Sequence, residues 1–506
     1  MSPGATRDPR VLVAVDVGTS GARAVAVDPQ GKVVAQVRRP YPTSDPRPGW
    51  AEQDPTDWSE RAAEALKALS ARIKKRELVA IGLTGQCPSV APFDHEGRPL
   101  RAGLLYRDNR AVDEAREFRE SFGVEAMHQR TGHVAEAFHV GPKVLWLRRH
   151  EPEVFSKTAR FLQPRDVALR RLCGREATDE TNANATLFFD LQRRQWAPDL
   201  FAAFGLDQDL FPEALPPWAP VGELQAPDRF ALTSPVPVVV GSADSQCAQF
   251  GAGVSDPGAV SEMAGASSCL NSAVSSPLSD TRVTHYSHVV PNRFSTELGV
   301  NTAGAALEWA VRRLGYRTHA ALAADAERFR RDWQQLGGKA ADPVEVAPLF
   351  LPYLGDGERT DPTLRAGFIG LSSRHDRGAL AYAVIEGVAL AVWTQLVILQ
   401  RAGAPLDELR VSGGGSQFAI LSQIKADVLG RPVVELPHDA TAIGAALLAG
   451  KACGLESEAS AAIDNVVRSG RRFEPTKWGR EVVSARAVWF ERTLREPAMH
   501  AGARRP

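Results

Sequence analysis

The sequence is poor in cysteine and has no excess of either charge, and both shortages exclude classes of protein. Its 506 residues include five cysteines, an odd number without a C-x-x-C pair, which excludes a disulfide scaffold and a structural zinc ribbon. Basic and acidic residues number 60 each, so the formal net charge is zero. Binding nucleic acid by phosphate neutralisation needs a basic surface, so no nucleic-acid partner is expected. The cysteine pattern fits a reducing, cytoplasmic location.

Several nucleotide-binding and membrane signals are also missing. The sequence has neither a G-x-x-x-x-G-K-[ST] P-loop nor a protein-kinase glycine-rich loop. Phe418 breaks a G-x-G-x-x-G pattern after Gly413, which disfavours an NAD-dependent oxidoreductase. The N-terminus lacks the apolar h-region of a secretory signal. The apolar run 379–400 is long enough to span a bilayer, but it contains Glu386 and lacks anchoring flanks, so it predicts a buried helix and no membrane partner.

An alternation of apolar runs, small-residue loops and helical periodicity occurs in both halves of the chain. In the first half Asp57 is the expected cap of a helix, and in the second a helix with Phe418 on its apolar face should end at Gly430. The stretch 205–235 has no clean period and predicts irregular structure, whereas 440–448 predicts a closely packed helix of small residues. This pattern indicates an α/β protein with two similar lobes. The runs that predict strands are 11–15, 24–27, 33–37, 78–83, 236–240, 259–263, 409–412 and 433–436.

The loop after the first predicted strand has the residue types of a phosphate site. Gly18 lets backbone N–H groups approach an oxyanion closely, and Thr19 and Ser20 add hydroxyl groups. Arg23 offers a guanidinium fork for phosphate, and Asp16, at the strand end, could hold a metal-bound water. A tight hairpin with a solvated arginine explains the same spacing, so both interpretations stay open at this point.

Other candidate positions follow predicted strands in the second half. Asp244 stands at a carboxyl strand end, where ligands gather in open α/β sheets; it could be a general base, a metal ligand or, as position alone favours, a helix N-cap. The turn 265–268 resembles a second phosphate loop, although ordinary turns use the same residues. The run 413–416 places three glycines between a strand and a helix, where backbone can meet a ligand. His285 and His288 have H-x-x-H spacing without further ligands, which predicts ordinary histidines.

Taken together, these loops resemble the FGGY family of carbohydrate kinases, within the actin/hexokinase/Hsp70-like superfamily, and above all its xylulokinases. The resemblance covers about residues 11–490. Several independent motifs in the same order make it specific. The matching segments are DVGTSGARAV (16–25), WAEQDPTDW (50–58), LTGQ (83–86), GPKVLWLRRHEPEVF (141–155), GSADSQCAQFGAG (241–253), FLPYLGDGERT (350–360), GFIGLSSRH (367–375) and VSGGGSQF (411–418).

The resemblance implies two ribonuclease-H-like domains, at 10–250 and 251–490, that flank a cleft for ATP and Mg²⁺. It makes Asp244 the catalytic base and Asp16 the carboxylate associated with Mg²⁺, and both are candidate catalytic and metal-site residues. Family members often form dimers, so a homodimer is an expectation. The implied nucleotide-binding residues are Gly18, Thr19, Ser20, Arg23, Gly265, Ser267, Ser268, Gly413, Gly414, Gly415 and Ser416. The implied sugar-binding residues are Gln86, Cys87, Pro88, Asp108, Asp244 and Ser245.

The predicted sugar pocket departs from xylulokinases at two places. Xylulokinases usually carry Met-His-Gly where this chain has Cys87, Pro88 and Ser89, and Pro88 has neither a side-chain donor nor a backbone N–H. Ser245 replaces the asparagine that usually follows the base. A site built to bond a hydroxyl discriminates strongly, so these changes should alter specificity. The resemblance therefore predicts an ATP-dependent sugar kinase for a ketopentose such as D-xylulose; the alternatives are another ketose, a polyol, a sugar acid, or a catalytically idle nucleotide-binding regulatory protein.

Overall fold

The computed structural model divides the chain into two compact units. It describes residues 8–230, 232, 234–335, 346–355, 357–358, 361–414, 418–437 and 439–496. Unit 1 is drawn from Met1–Ser255, Val274–Thr296 and His438–Arg468, and unit 2 from Asp256–Ala273, Glu297–Pro437 and Ser469–Pro506. The domain boundary placed between residues 250 and 251 from the sequence stays a prediction.

The described residues form strands and helices in alternation. The strands are β1 (Arg10–Gly18), β2 (Gly21–Val27), β3 (Val33–Pro40), β4 (Glu52–Gln53), β5 (Glu77–Gly85), β6 (Ala91–Phe93), β7 (Gly103–Leu104), β8 (Arg160–Leu162), β9 (Ala177–Asp179), β10 (Phe189–Asp190), β11 (Gln195–Trp196), β12 (Glu213–Leu215), β13 (Pro220–Glu223), β14 (Pro237–Ala243), β15 (Gly258–Ala264), β16 (Ser268–Val274), β17 (Thr284–Ser287), β18 (Phe294–Val300), β19 (Leu349–Leu351), β20 (Gly367–Ile369), β21 (Leu406–Ser412), β22 (Val433–Glu435) and β23 (Arg471–Phe473). The helices are α1 (Pro55–Arg72), α2 (Val112–Phe122), α3 (Val124–Thr131), α4 (Val140–His150), α5 (Pro152–Lys157), α6 (Pro164–Cys173), α7 (Glu180–Asn184), α8 (Pro198–Ala203), α9 (Asp244–Gly251), α10 (Gly304–Arg313), α11 (His319–Gln335), α12 (Arg377–Arg401), α13 (Ala419–Leu429), α14 (Ala440–Ala452), α15 (Glu456–Arg468) and α16 (Lys477–Leu494).

The central sheet of unit 1 has the strand order β13-β14-β5-β1-β2-β3. The first three strands form the antiparallel meander expected from the sequence, and β5 and β14 run parallel to β1. Strands buried on both faces read as unbroken apolar runs, which is why β1 and β5 were visible in the sequence. The register pairs Asp16 with Thr84, and Thr84 with Ser242. The carboxyl ends of three parallel strands therefore lie side by side at one edge.

The sheet of unit 2 repeats this arrangement. Its strands follow the order β18-β16-β15-β21-β22-β23. Strands β15 and β16 are antiparallel, whereas β21 lies parallel to β15 and β22 parallel to β21. The order β18-β16-β15-β21-β22 corresponds to β3-β2-β1-β5-β14 in unit 1. The expected pair of similar α/β lobes is confirmed, and the fold is of the ribonuclease-H-like type.

Two local predictions in the first half were wrong. Asp54, rather than Asp57, caps α1, and its side chain accepts a hydrogen bond from Thr56 N at 2.8 Å. Pro55 occupies the first helical position, where a missing N–H costs nothing, so the helix begins earlier than its apolar period suggests. The stretch 205–235 also contains β12 and β13, and β13 pairs with the edge of β14. Short, partly exposed strands leave little apolar signal to predict them.

The long apolar helix α12 lies inside unit 2, as the presence of Glu386 in its apolar run predicted. It alone among the described helices is long and apolar enough to cross a membrane, and 78% of its most apolar window is buried in the structure. Glu386 is fully buried, and both of its carboxylate oxygens lie 2.7 Å from Arg486 Nε, whose single N–H they share. A carboxylate paired in this way belongs to a protein core.

Within unit 1, helix α14 packs as closely against its neighbours as its small residues predicted. A Cβ atom on Gly444 would lie 1.9 Å from Cys247 O in α9, and one on Gly82 would lie 2.2 Å from Ala445 O. Backbones can approach this closely only where side chains are absent. Helix α9, which starts at Asp244, is thereby held against α14, and α14 against the central sheet.

Candidate active site

Asp16 and Arg23 face each other across the β1–β2 hairpin. Arg23 Nε and Nη2 donate to Asp16 Oδ2 at 3.0 and 2.6 Å. Asp16 is only 4% exposed; burial raises the pKa of its carboxyl group, and the neighbouring guanidinium opposes this rise. Arg23 Nη1 also pairs with Asp439, the N-cap of α14. The guanidinium expected to meet phosphate is therefore held between two carboxylates.

The second oxygen of Asp16 is the clearest indication of a missing group. Asp16 Oδ1 is buried and has no hydrogen-bond partner among the residues that the structure describes. Carboxylate oxygens are preferred ligands of Mg²⁺, so Asp16 fits the cation that the resemblance implies. Within the described ranges, no group of three or more His, Cys, Asp or Glu side chains forms a ready-made metal cage. Mg²⁺ does not require one, because it is usually held by one or two carboxylates, water and substrate phosphates.

The first predicted phosphate loop is held by side chains that the motif alone did not identify. Gln53 Nε2 donates to Thr19 O at 2.6 Å. Arg38 Nη2 donates to both the hydroxyl and the carbonyl oxygen of Ser20, at 2.6 and 2.9 Å. The hydroxyl of Tyr41 donates to the carbonyl of Gly18. These contacts engage carbonyl oxygens along the loop and so restrict its conformation.

Asp244 begins α9 directly after β14. The N-cap position belongs to Ala243, so the interpretation of Asp244 as a cap was wrong. Its Oδ1 accepts a hydrogen bond from Ser245 N at 2.8 Å, and the side chain is half-buried. At Gly241, φ is +74° and a Cβ atom would lie 1.6 Å from Leu83 O, so only glycine permits this path of the strand. Asp244 follows Ser242 by two residues, which places it at the same sheet edge as Asp16.

The loop after β5 carries the first of the two departures from the xylulokinase pattern, at Cys87 and Pro88. Gln86 is buried, and its Nε2 donates to Gln53 Oε1 at 2.9 Å. Cys87 is half-buried, with Sγ 3.7 Å from Gln163 Oε1. The Cys87–Pro88 peptide bond is cis. Among Gln86, Cys87 and Pro88, only Cys87 has a partly exposed side chain.

Lys143, on α4, anchors that loop from behind. It is fully buried, and its Nζ donates to the carbonyl oxygens of Phe138, Leu105 and Pro88 at 2.6, 2.7 and 3.1 Å. Burial lowers the pKa of Lys143 to about 7. Since an ammonium group has three donors, all of them are used by backbone carbonyls. The sequence showed Lys143 only as part of a matching segment and gave no sign of this role.

Asp108, predicted to contact the sugar, is bonded to its own segment and to Ala51. Its side chain is fully buried, and Oδ2 accepts hydrogen bonds from Ala51 N and Arg110 Nη2 at 2.6 and 2.7 Å. Oδ1 accepts from Arg110 N and Nε at 3.1 and 2.8 Å. Four bonds fill the acceptor positions of a carboxylate. These bonds hold the segment 106–110 in place, and the contact of Asp108 with the sugar stays a prediction.

The predicted second phosphate loop joins β15 to β16 in unit 2. Its residues 265–267 are exposed, whereas Ser268 is buried and donates to Glu262 Oε1 at 2.7 Å. Lys425 Nζ lies 2.7 Å from both oxygens of Glu262. Gly265 O accepts a hydrogen bond from Gly304 N, at 3.2 Å, where α10 starts. The hydroxyl of Ser268 is thus engaged, and the exposed part of the loop is Gly265 to Ser267.

The glycine turn after β21 adjoins this loop. Gly413 has φ of +91°, and a Cβ atom there would lie 2.7 Å from Ala264 O, immediately before Gly265. Gly414 is exposed. The two predicted nucleotide loops of unit 2 therefore lie together. The predicted residues Gly415 and Ser416 lie outside the described residues.

The two halves of the chain match two domains of one family. The N-terminal domain of the FGGY family of carbohydrate kinases matches residues 11–251, and the C-terminal domain matches residues 261–453. The chain belongs to the FGGY family of carbohydrate kinases. It is accordingly a sugar kinase, and kinases of this family use ATP and generally require Mg²⁺.

Relatives of this FGGY kinase carry more than one substrate name. Xylulose kinase of Bacillus subtilis (strain 168) is 29% identical over 478 residues, covering 92% of this chain and 93% of the relative. Glycerol kinase of Acidovorax ebreus (strain TPSY) is 29% identical over 498 residues, covering 94% and 97%. The crystal structure of xylulose kinase from Rhodospirillum rubrum matches with a TM-score of 0.86 at 30% identity. The match covers 97% of this chain and 100% of that chain. Similarity therefore establishes the class of enzyme and leaves the sugar open.

The structure of this FGGY kinase gathers most of the predicted site residues into groups within each unit. Sequence reasoning missed the side chains that support the loops, because most of them meet residues that lie distant in the chain. These supporting residues are Gln53, Arg38, Tyr41, Lys143, Asp439, Glu262 and Lys425.

Proposed function

We propose that this FGGY kinase transfers the γ-phosphoryl group of ATP to a hydroxyl of a small, uncharged open-chain sugar, with a ketopentose such as D-xylulose as the leading substrate. The observation that carries the proposal is the placement of Asp16 and Asp244 at one sheet edge, with a buried oxygen of Asp16 unpartnered among the described residues. The xylulose kinases among its relatives support the choice of sugar.

Each carboxylate has a separate task in this mechanism. Asp244 accepts the proton of the sugar hydroxyl, which is a poor nucleophile until it has an acceptor. Asp16 Oδ1 would hold Mg²⁺, whose charge offsets the negative charge on the transferring phosphoryl group. Since phosphoryl transfer passes through a loose transition state, positioning supplies most of the remaining rate enhancement.

Loops of both units contribute to the binding of ATP. Gly18, Thr19 and Ser20 take the phosphates in unit 1, and the exposed part of 265–268 together with 413–416 takes the nucleotide in unit 2. Arg23 places a positive charge beside Asp16, and its pairing with both Asp16 and Asp439 fixes the position of that charge.

The residues of the sugar loop favour a neutral substrate. Positions 86–89 are Gln, Cys, Pro and Ser and carry no positive side chain, and all three donors of Lys143 are used by carbonyls. Recognition of a sugar acid normally uses a cationic donor. The glycerol kinase among the relatives makes a polyol the second candidate substrate.

A cytoplasmic location and a homodimer complete the proposal. None of the five cysteines, all of which lie within the described residues, forms a disulfide bond, which supports a reducing compartment. The homodimer is proposed because members of the family often form dimers.

The test is ADP release with ATP and Mg²⁺ across ketoses, polyols and sugar acids, with Asp244→Ala as the blank. One neutral sugar should give a signal that the variant lacks, and Asp244→Asn should still bind nucleotide. If the variant is as active as the wild type, Asp244 is not the base. If nucleotide binds but no sugar gives a signal, the result favours a catalytically idle regulatory protein.

A further inference from the structure

Gln53 occupies a hydrogen-bonding position that links two loops of unit 1. It ends the short strand β4 and is only 3% exposed. Its Nε2 donates to Thr19 O at 2.6 Å and to Thr43 Oγ1 at 2.8 Å. Its Oε1 accepts from Trp58 Nε1 and from Gln86 Nε2, each at 2.9 Å. Two donors and two acceptor positions are the whole capacity of an amide, so the side chain is saturated.

The chemistry of the partners determines which way this amide points. The carbonyl of Thr19 can only accept a hydrogen bond, and the indole N–H of Trp58 can only donate one. The nitrogen of Gln53 must therefore face Thr19, and its oxygen must face Trp58 and Gln86. A flipped amide would place two donors or two acceptors against each other at both ends.

The two functional ends of this network lie in different predicted binding loops. Thr19 belongs to the first phosphate loop, and Gln86 opens the loop that carries Cys87 and Pro88. Gln86 is itself held by Ser89, whose Oγ donates to Gln86 Oε1 at 3.3 Å. One buried side chain thus spans the distance between the phosphate loop and the sugar loop.

We propose that Gln53 is a positioning residue that sets the separation of these two loops and so aligns the sugar hydroxyl with the γ-phosphate. This inference rests on the proposed function. Displacement of a reacting group by about 1 Å can reduce a rate roughly 100-fold, so a small movement of either loop should be visible in kcat. Removal of an interaction that matters mainly in the transition state lowers kcat and leaves KM nearly unchanged.

Two substitutions of Gln53 separate positioning from folding. Gln53→Glu keeps the size of the side chain and an acceptor for Trp58 and Gln86, but it places an oxygen against Thr19 O. Gln53→Met removes all four hydrogen bonds. We expect kcat to fall about 10- to 100-fold in both variants, with KM for ATP and sugar changed by less than about threefold.

Matched controls remove the other two partners of the same amide. Thr43→Val removes the Thr43 contact, and Trp58→Phe removes the indole donor together with part of a fully buried ring. Both controls leave the Thr19 and Gln86 bonds in place, so kcat should stay within about twofold of the wild type even where the unfolding midpoint falls.

The outcomes are distinct. Folded Gln53→Glu with kcat within about twofold of the wild type would overturn the proposal, as would control variants that lose as much kcat as Gln53→Glu. If Gln53→Met does not fold, Gln53→Glu decides. Failure of the proposed function shows separately, as a wild-type enzyme without sugar-dependent ADP release.

Discussion

Acidification should destabilise unit 1 through His285, which lies in β17. The ring is fully buried, and Nε2 accepts a hydrogen bond from Leu278 N at 2.9 Å, so the neutral ring carries its proton on Nδ1. Nδ1 has no partner among the described residues, and the ring of His128 lies 5.3 Å away. Burial, with a contribution from His128, lowers the pKa of His285 to about 3. Protonation at Nε2 would also break the bond to Leu278.

The magnitude follows from proton linkage. The unfolded chain binds a proton to this histidine below a pKa of 6.5, whereas the folded protein does so only near pH 3. The unfolded state therefore binds more protons between these values, and the free energy of unfolding falls as the pH falls. Each pKa unit corresponds to about 1.4 kcal/mol, so the loss by about pH 5 is roughly 2 kcal/mol and approaches about 5 kcal/mol near pH 3.

His285→Gln provides the comparison. The Gln Oε1 atom can accept from Leu278 N in place of Nε2, and the side chain does not titrate. Urea unfolding at about pH 7.5 and about pH 5 should show a loss of stability roughly 2 kcal/mol larger in the wild type than in the variant. His95→Gln, at an exposed histidine, is the matched control and should lose as much stability as the wild type. Equal losses in wild type and His285→Gln would refute the reasoning.

Two further substitutions test the supports of the binding loops. Lys143→Met removes the donor that holds the carbonyl of Pro88, so initial rates should show KM for the sugar raised about tenfold with KM for ATP within about twofold; an unchanged sugar KM would contradict this. Asp439→Asn leaves Arg23 to pair more fully with Asp16, so a Mg²⁺ titration of activity should show half-saturation at a concentration raised about threefold or more. A titration curve identical to that of the wild type would show that Asp439 has no influence on this site.

The parts of the fold that could be predicted are those with a local signal. Strands β1 and β5 are buried on both faces and so read as continuous apolar runs. Helix α14 also carries a local signal, its run of alanine and glycine, because only small residues permit the approach of Gly444 to Cys247. His285 and His288 were expected to be ordinary histidines, and both are buried with backbone partners.

The parts that could not be predicted depend on partners distant in the chain. Gln53 meets Gln86 across 33 positions, and Arg23 meets Asp439 across 416. A periodicity or a motif describes neighbours in sequence and does not carry such pairings. The roles of these side chains become visible only once the fold brings the loops together.

Asp16 and Asp108 show why identical residue types in similar loops cannot be ranked from sequence. Both are buried aspartates paired with an arginine, and both were assigned to the site by resemblance. All acceptor positions of Asp108 are filled by Ala51 and Arg110, so a sugar hydroxyl would have to displace an existing bond to reach it. Asp16 spends one oxygen on Arg23 and keeps the other buried without a partner among the described residues, which costs about 1–3 kcal/mol unless a ligand supplies that partner. The unmet acceptor of Asp16 is one that a cation would satisfy, whereas every acceptor position of Asp108 is already satisfied by the protein.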